Sequence, residues 1–258
     1  MTLSIRILGA GTSSGVPRIG PDWGACDPNE SRNRRTRSSV LVRSATTTLL
    51  VDTSPDMREQ LIAAQVSDVD AVLWTHDHAD HCHGMDDLRQ IMHARSGTPV
   101  RGLARPFTFE QFFSRFPYIF EGRGKYYPPV VALETMPDSF TIGDIAVRVV
   151  DQPHGGITSA GMRFESGGKV IGHATDFHAM TAEMRQLYTG LDVWVVDALR
   201  RAPHPTHPHL GQVLGWIEEL RPARSALVHM DHSMDYATLA AELPAGVEPG
   251  YDGLELHA

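Results

Sequence analysis

Thr75-His76-Asp77-His78-Ala79-Asp80-His81-Cys82-His83-Gly84 is the stretch that decides the fold of this chain. Four histidines and two aspartates crowd into it, directly after the apolar run Ala71-Val72-Leu73-Trp74. A short unbroken apolar run of this kind reads as a buried strand. Imidazoles and carboxylates gathered at the end of such a strand suit a transition-metal site. The strand fixes the backbone, the loop aims the side chains, and mixed N/O donors accept Zn, Mn or Fe. The bland alternative is a solvated loop or a tag-like histidine run, but a tag would sit at a terminus and lack the strand.

Spacing divides the donors. His76 and His78 are two apart, so on an extended segment they face one side. Asp80 and His81 come a turn later and point to a second position. One loop thereby supplies two ligands to each of two ions, and two metals about 3.5–4 Å apart form the usual clamp for phosphate-ester hydrolysis. Both ions still need donors, and three stand just past later apolar runs: His154 after Ile145 to Val150, Asp176 after Lys169 to Ile171, and His229 after Ala226 to Val228. His154 would complete the first ion and His229 the second, with Asp176 bridging through its two oxygens. Taken singly, each is an ordinary loop residue or turn former. Taken together after an H-x-H-x-D-H loop, they form a ligand set.

The 258 residues, 41% hydrophobic and 21% charged, suit a soluble protein folded as one domain over 1–258. A net charge of −8 argues against nucleic acid as a partner, since such affinity rests on basic surface. It leaves room for a small anionic substrate, because bound cations offset charge locally. Two cysteines, Cys26 and Cys82, make no disulfide framework and point to a reducing compartment. No apolar stretch approaches membrane-spanning length, so no membrane partner is expected. Residues 1–8 alternate like a strand without a signal-peptide layout, and a cytoplasmic location is the expectation.

Further strands are expected at Ile5–Leu8, Ser39–Val42, Thr48–Val51 and Val193–Val196. Helical patterns cover Asp56–Ala64, Met85–Ala94, Thr181–Leu187, Leu210–Leu220 and Tyr236–Leu243. Consecutive strands followed by looser alternation predict an α/β chain of mixed sheets flanked by helices. The aromatic-rich segment from Arg105 to Pro129 reads first as a helical insertion packing on the core, with a substrate-side wall and a dimer surface as the alternatives. Gly9-Ala10-Gly11-Thr12-Ser13-Ser14-Gly15 has the spacing G-x-G-x-x-x-G, with Pro17 and Pro21 where a dinucleotide-binding helix would start. It reads instead as a turn lining an active site, with Ser13 and Ser14 as candidate substrate contacts.

This ligand pattern resembles the metallo-β-lactamase superfamily, which implies an αββα sandwich with a dinuclear site along one edge. Asp52, before Thr53-Ser54-Pro55-Asp56, stands where that superfamily places an aspartate bracing the metal loop. Three local motifs are similar to one branch, the phosphoribosyl 1,2-cyclic phosphate phosphodiesterases related to ribonuclease Z. They are Leu8 to Pro17, Arg32-Asn33-Arg34-Arg35-Thr36-Arg37-Ser38-Ser39, and Val247-Glu248-Pro249-Gly250-Tyr251-Asp252-Gly253. In the second motif, Arg34 and Arg35 are candidates to neutralise a substrate phosphate.

The resemblance implies a catalytic centre as well. Among His204, His207 and His209, His207 stands 22 residues before His229, where the branch has the general acid for the leaving alkoxide. Asp197 ends a strand where ribonuclease Z has a carboxylate orienting that histidine, and Asp80 or Asp176 would take the proton of the attacking water. The expected reaction is hydrolysis of a small cyclic phosphodiester or nucleotide by a hydroxide held between two divalent ions, Zn or Mn, with Fe also admitted. Members of the branch often carry a structural zinc on clustered cysteines, but Gly20 to Cys26 retains only Cys26, so with His232 no structural zinc is expected. Homodimers occur in the branch and are an expectation here. The rival functions are ribonuclease Z-like processing of tRNA 3′ ends, which the acidic balance opposes, thioester or lactam hydrolysis, and a non-catalytic nucleotide-binding member of the fold.

Overall fold

The computed structural model describes residues 3–258. Strands β1 (Ser4–Gly9), β2 (Ser39–Arg43), β3 (Thr48–Val51), β4 (Ala71–Trp74), β5 (Val100–Ala104) and β6 (Val131–Thr135) join the C-terminal β14 (Glu255–His257) in one sheet. Its order is β14-β1-β2-β3-β4-β5-β6, antiparallel through β3 and parallel from β3 to β6. The second sheet holds β7 (Ser139–Ile142), β8 (Ile145–His154), β9 (Ile157–Ser166), β10 (Lys169–Ala174), β11 (Val193–Asp197), β12 (Arg224–Val228) and β13 (Val247–Pro249). Its order is β13-β12-β11-β10-β9-β8-β7, parallel as far as β10 and antiparallel beyond it.

The period-two alternation of side chains explains the layers. In β3, Leu49 and Val51 face the second sheet while Leu50 faces helices; in β11, Val193 and Val195 face inward while Trp194 and Val196 face outward. Each central strand is therefore buried on both faces, which its unbroken apolar sequence anticipates. Helices α1 (Met57–Ala63), α2 (Ala79–Cys82), α3 (Leu88–Ala94), α4 (Pro106–Arg115) and α5 (Pro117–Phe120) lie on the first sheet. Helices α6 (Ala182–Leu187), α7 (Leu210–Leu220) and α8 (Tyr236–Glu242) lie on the second. The two mixed sheets flanked by helices make the αββα sandwich anticipated from the sequence.

Differences from expectation have local causes. Strands β5 and β9 escape detection because each carries a glycine where a bulky side chain presses on the backbone. A Cβ on Gly102 would stand 2.6 Å from the Trp74 ring, and one on Gly161 would stand 2.3 Å from the Tyr188 hydroxyl. In the aromatic segment Phe112 and Phe120 are buried, with Phe112 edge-on to Trp74, whereas Phe107, Tyr126 and Tyr127 are exposed. Core packing accounts for only part of that segment. No described helix is long and apolar enough to cross a membrane.

The three sequence motifs meet through Asp252. Its carboxylate accepts hydrogen bonds from the amides of Ala10 and Thr36 at 2.9 and 2.7 Å, and from the Thr36 hydroxyl at 2.6 Å. Burial raises its pKa to about 6 against these hydrogen bonds. The glycine-rich turn, the arginine stretch and the C-terminal motif are thus joined around one side chain.

Candidate metal centre

The candidate ligands stand where strands of the two sheets end. His76 and His78 follow β4, Asp80 and His81 lie on α2, His154 ends β8, Asp176 follows β10 and His229 follows β12. Asp52, Asp176 and His229 adopt positive φ values of 63°, 52° and 57°. Side chains with a Cβ seldom occupy this left-handed region, and such local strain clusters at functional sites.

The donors fall into adjoining groups. His76, His78, His154 and Asp176 form one, and Asp80, His81 and His229 another; within each, the ligand atoms lie within 4.8 Å of one another. Asp176 joins them through its two oxygens. Oδ2 stands 3.7 Å from His76 Nε2 and 3.5 Å from His154 Nε2, while Oδ1 stands 3.2 Å from His81 Nε2 and 3.4 Å from His229 Nε2. Asp80 Oδ2 approaches His81 and His229 at 3.3 and 3.4 Å.

The hydrogen bonds behind the ligands select tautomers. His76 Nδ1 donates to Thr75 Oγ1 at 2.9 Å, and that hydroxyl donates to Asp52 Oδ2 at 2.8 Å. His81 Nδ1 donates to the same Asp52 oxygen at 2.7 Å. One buried carboxylate therefore orients a histidine in each group and leaves both Nε2 atoms facing the cluster. Nε2 of His76 and of His81 are buried without a hydrogen-bond partner, as free ligand atoms should be. His154 Nδ1 donates to the Thr206 carbonyl at 3.0 Å, which aims its Nε2 inward as well.

Electrostatics also fit a cation. Burial opposes charge on His229, but Asp176, Asp80 and Asp197 outweigh it and hold its pKa up at about 9. His81 is likewise held charged against burial by Asp176, Asp80 and Asp52. Burial and neighbouring His81 keep His76 neutral, with its pKa well below the usual histidine value. A divalent ion entering here would displace the protons of His81 and His229 and take over the balancing of the carboxylates.

His207, in the segment between β11 and α7, meets Asp197 as the sequence pairing expected. Its Nδ1 donates to Asp197 Oδ2 at 2.8 Å, and its Nε2 stands 3.8 Å from Asp176 Oδ2. A cleft of about 250 Å³ is bordered by Ser13, His78, Asp80, His154, Asp176, His207 and His229. Ser14 borders neighbouring clefts that share Ser13.

The arginine expectation needs correction. Arg35 is buried, 1% exposed, and donates to the carbonyls of Met234 and Asp231 at 2.7 and 3.5 Å. It fastens the segment before α8 and does not border the cleft. Cys26 lies beside its guanidinium, where that positive charge opposes a metal cation, and His232 Nε2 stands 3.5 Å from Asp22 Oδ2. Arg34 is exposed, with its guanidinium 5.7 Å from the Trp23 ring, and does not border the cleft either. Arg18 and Arg37 border clefts at the site instead.

Arg115 of α4 was also missed by sequence reasoning. It donates to the backbone carbonyl and side chain of Asp77 at 2.7 and 2.6 Å and approaches His83 at 3.3 Å, clamping the ligand loop from outside. His83 accordingly faces α4, away from the ligands.

Asp52→Asn should lower metal affinity about 10–100-fold, the usual cost of losing a partner behind the ligands. Titration of chelated protein with Zn²⁺ or Mn²⁺ measures this, and both groups should weaken together because Asp52 serves His76 and His81.

The beta-lactamase superfamily domain model matches residues 47–230, and the chain belongs to that family. Its two mixed sheets flanked by helices are the metallo-β-lactamase fold, and its His/Asp groups are compatible with a divalent-metal site. A crystal structure described as a new diphosphatase from the PhnP family is 32% identical, covers 100% of this chain and 98% of that one, and has a TM-score of 0.91. Zn²⁺-bound PqqB from Methylobacterium extorquens is 20% identical over 98% of this chain and 99% of that one, TM-score 0.79. The short form of human tRNase Z is 16% identical over 98% of each chain, TM-score 0.71. These last two show the fold alone. A curated relative from Porphyromonas gingivalis (strain ATCC BAA-308 / W83), named octanoyltransferase, is 33% identical over 96% of this chain; the chain spans about half the length of that protein.

Proposed function

We propose that this chain is a dinuclear metal-dependent phosphodiesterase acting on small, including cyclic, phosphodiesters or nucleotides. The observation that carries the proposal is His207, held by Asp197 at the edge of the ligand groups and facing the bridging carboxylate. The 32% identity to a diphosphatase over nearly the whole length of both chains supports phosphorus as the reacting centre.

Two divalent ions, bound by His76, His78, His154, Asp80, His81, His229 and the shared Asp176, would supply Lewis-acid charge at the phosphoryl oxygens and acidify the attacking water. The remaining steps belong to side chains. Asp80, at the cleft wall, accepts the proton of the attacking water. His207 donates a proton from Nε2 to the leaving oxygen, while Asp197 keeps Nδ1 protonated and the ring in place. Asp197 also accepts from the backbone amide of Asp176 at 3.1 Å, so acid and bridging carboxylate share one support.

Purified protein supplied with Mn²⁺ or Zn²⁺ should hydrolyse bis-p-nitrophenyl phosphate, and a chelator should abolish this. No turnover with any divalent metal overturns the proposal. Turnover of precursor tRNA without turnover of small diesters assigns a ribonuclease Z-like role instead.

A further inference from the structure

Asp176 holds a conformation that its residue type resists, with φ at 52°, and its carboxylate is the one both ligand groups share. What holds it there comes from other strands. β10 ends at Ala174, so the carbonyls of Thr175 and Asp176 lie beyond the strand ladder. Side chains of β8 and β9 meet both of them. Ser159 Oγ stands 2.7 Å from the Asp176 carbonyl oxygen and 3.1 Å from that of Thr175. Gln152 Nε2 donates to the Thr175 carbonyl at 3.0 Å and to Ser159 Oγ at 3.0 Å. Gln152 Oε1 accepts in turn from the hydroxyl of Tyr188, which caps the end of α6, at 2.9 Å.

These bonds run in one direction. The reverse orientation of the Gln152 amide would set its oxygen against the Thr175 carbonyl, two acceptors facing each other. Ser159 Oγ, already accepting from Gln152, has one proton to give, and its shorter contact is the Asp176 carbonyl. The order is therefore Tyr188 to Gln152 to Ser159 to Asp176, and all four residues are buried. Hydrogen bonds aligned in this way, away from water, strengthen one another. Gly161 makes room for the first of them, since a Cβ there would collide with the Tyr188 hydroxyl and with Gln152 Oε1. On its other side Asp176 is met by the Thr175 hydroxyl, which donates to Oδ1 at 2.7 Å, and by Asp197, which accepts its amide. The proposed hydrolysis uses none of Tyr188, Gln152 or Ser159.

We infer that Tyr188, Gln152 and Ser159 form a directed hydrogen-bond chain that positions Asp176 and fixes how its two oxygens are divided between the ligand groups. The inference rests on the metal centre and is independent of the phosphodiesterase assignment. All three are positioning residues, acting on metal only through Asp176. With its carbonyl held by Ser159, Asp176 keeps the left-handed conformation that turns one oxygen to each group. Cutting the chain lets that conformation relax, and both groups lose their shared donor together.

Titration of chelated protein with Zn²⁺ and Co²⁺ tests this, the visible absorption of bound Co²⁺ reporting the ligand geometry. Ser159→Ala should weaken metal binding about tenfold to a hundredfold, the usual cost of removing a partner behind a ligand, and should shift the Co²⁺ spectrum. Tyr188→Phe, two hydrogen bonds further back, should weaken it about threefold to tenfold, the worth of one hydrogen bond, and carries the test alone if the alanine protein does not fold. In the Ser159→Ala background, Tyr188→Phe should cost less than about twofold more, because the chain is already cut. A merely structural role lowers the melting temperature of the metal-free protein but leaves affinity and the Co²⁺ spectrum unchanged, and that result overturns the inference. Fully additive losses in the double variant overturn it as well. No binding of divalent metal by the unaltered protein removes the metal centre and the inference together. The expected affinity losses in a protein that hydrolyses no diester remove the phosphodiesterase assignment and leave the chain standing.

Discussion

On the proposed phosphodiesterase reading, His207→Ala should lower hydrolysis of a cyclic nucleotide about a hundredfold to ten-thousandfold, the usual contribution of a positioned general acid, while metal content should match that of the unaltered protein. The leaving oxygen of such a substrate is an alkoxide, which departs readily only with a proton. With bis-p-nitrophenyl phosphate the loss is much smaller, because p-nitrophenolate is a stable anion and leaves unprotonated. That contrast separates the proton-donor role from a supporting one. The geometry behind it is the 2.8 Å bond from His207 Nδ1 to fully buried Asp197, which leaves Nε2 as the exchanging nitrogen beside Asp176. Equal losses on both substrates would refute the acid role. Loss of metal from the variant, measured by elemental analysis, would make His207 a ligand, a place its grouping with Asp176, Asp197 and His229 permits.

Asp176→Ala should lower the metal content below that of the unaltered protein and reduce turnover to that of chelated protein. A partner behind a ligand costs about 10–100-fold in affinity, and a carboxylate shared by both groups costs more. Its two oxygens stand within 3.8 Å of the Nε2 atoms of five histidines, His76, His81, His154, His207 and His229. Removing it leaves those rings crowded with one acceptor fewer, so the variant should also melt at lower temperature with metal present. Asp176→Asn keeps the volume and serves as the second variant if the alanine protein does not fold. Metal content and affinity in the asparagine protein equal to those of the unaltered protein would refute a shared role for Asp176 in both groups.

Much of the fold was legible because its central strands are buried on both faces. Thr48–Val51 and Ala71–Trp74 run without polar interruption and stand in the structure with the bounds read from the sequence. Helix α7 over Leu210–Leu220 was equally plain. Strands β5 and β9 were not, since Gly102 and Gly161 break the apolar pattern to admit Trp74 and Tyr188, and local patterning carries no record of a ring arriving from another segment. Histidine and aspartate donors showed themselves for the opposite reason. Each stands at the end of an apolar run, and the spacing within His76 to His81 is itself a local geometry.

The arginines show where local patterning stops carrying position. Arg34, Arg35 and Arg37 are near neighbours in one motif, yet one is exposed, one is buried under the segment before α8, and one borders a cleft beside the metal centre. Side-chain alternation along the chain does not say which face meets the site; the partners do, and they lie far away. Met234 and Asp231 accept from Arg35 across 199 and 196 positions, and Asp56 orients Arg37 from 19 positions on.

The sequence by itself determined the donor inventory around His76–His81, its strand-end setting and the mixed-sheet class, because these follow from short-range spacing and two-sided burial. Tertiary structure alone decided how those donors pair: which oxygen of Asp176 faces which histidines, that Asp52 serves His76 and His81 together, and that Arg18 and Arg37 rather than Arg34 and Arg35 border the clefts. These are contacts between distant segments, and only the packing of the two sheets, which brings the ends of β4, β8, β10, β11 and β12 to one edge, fixes them.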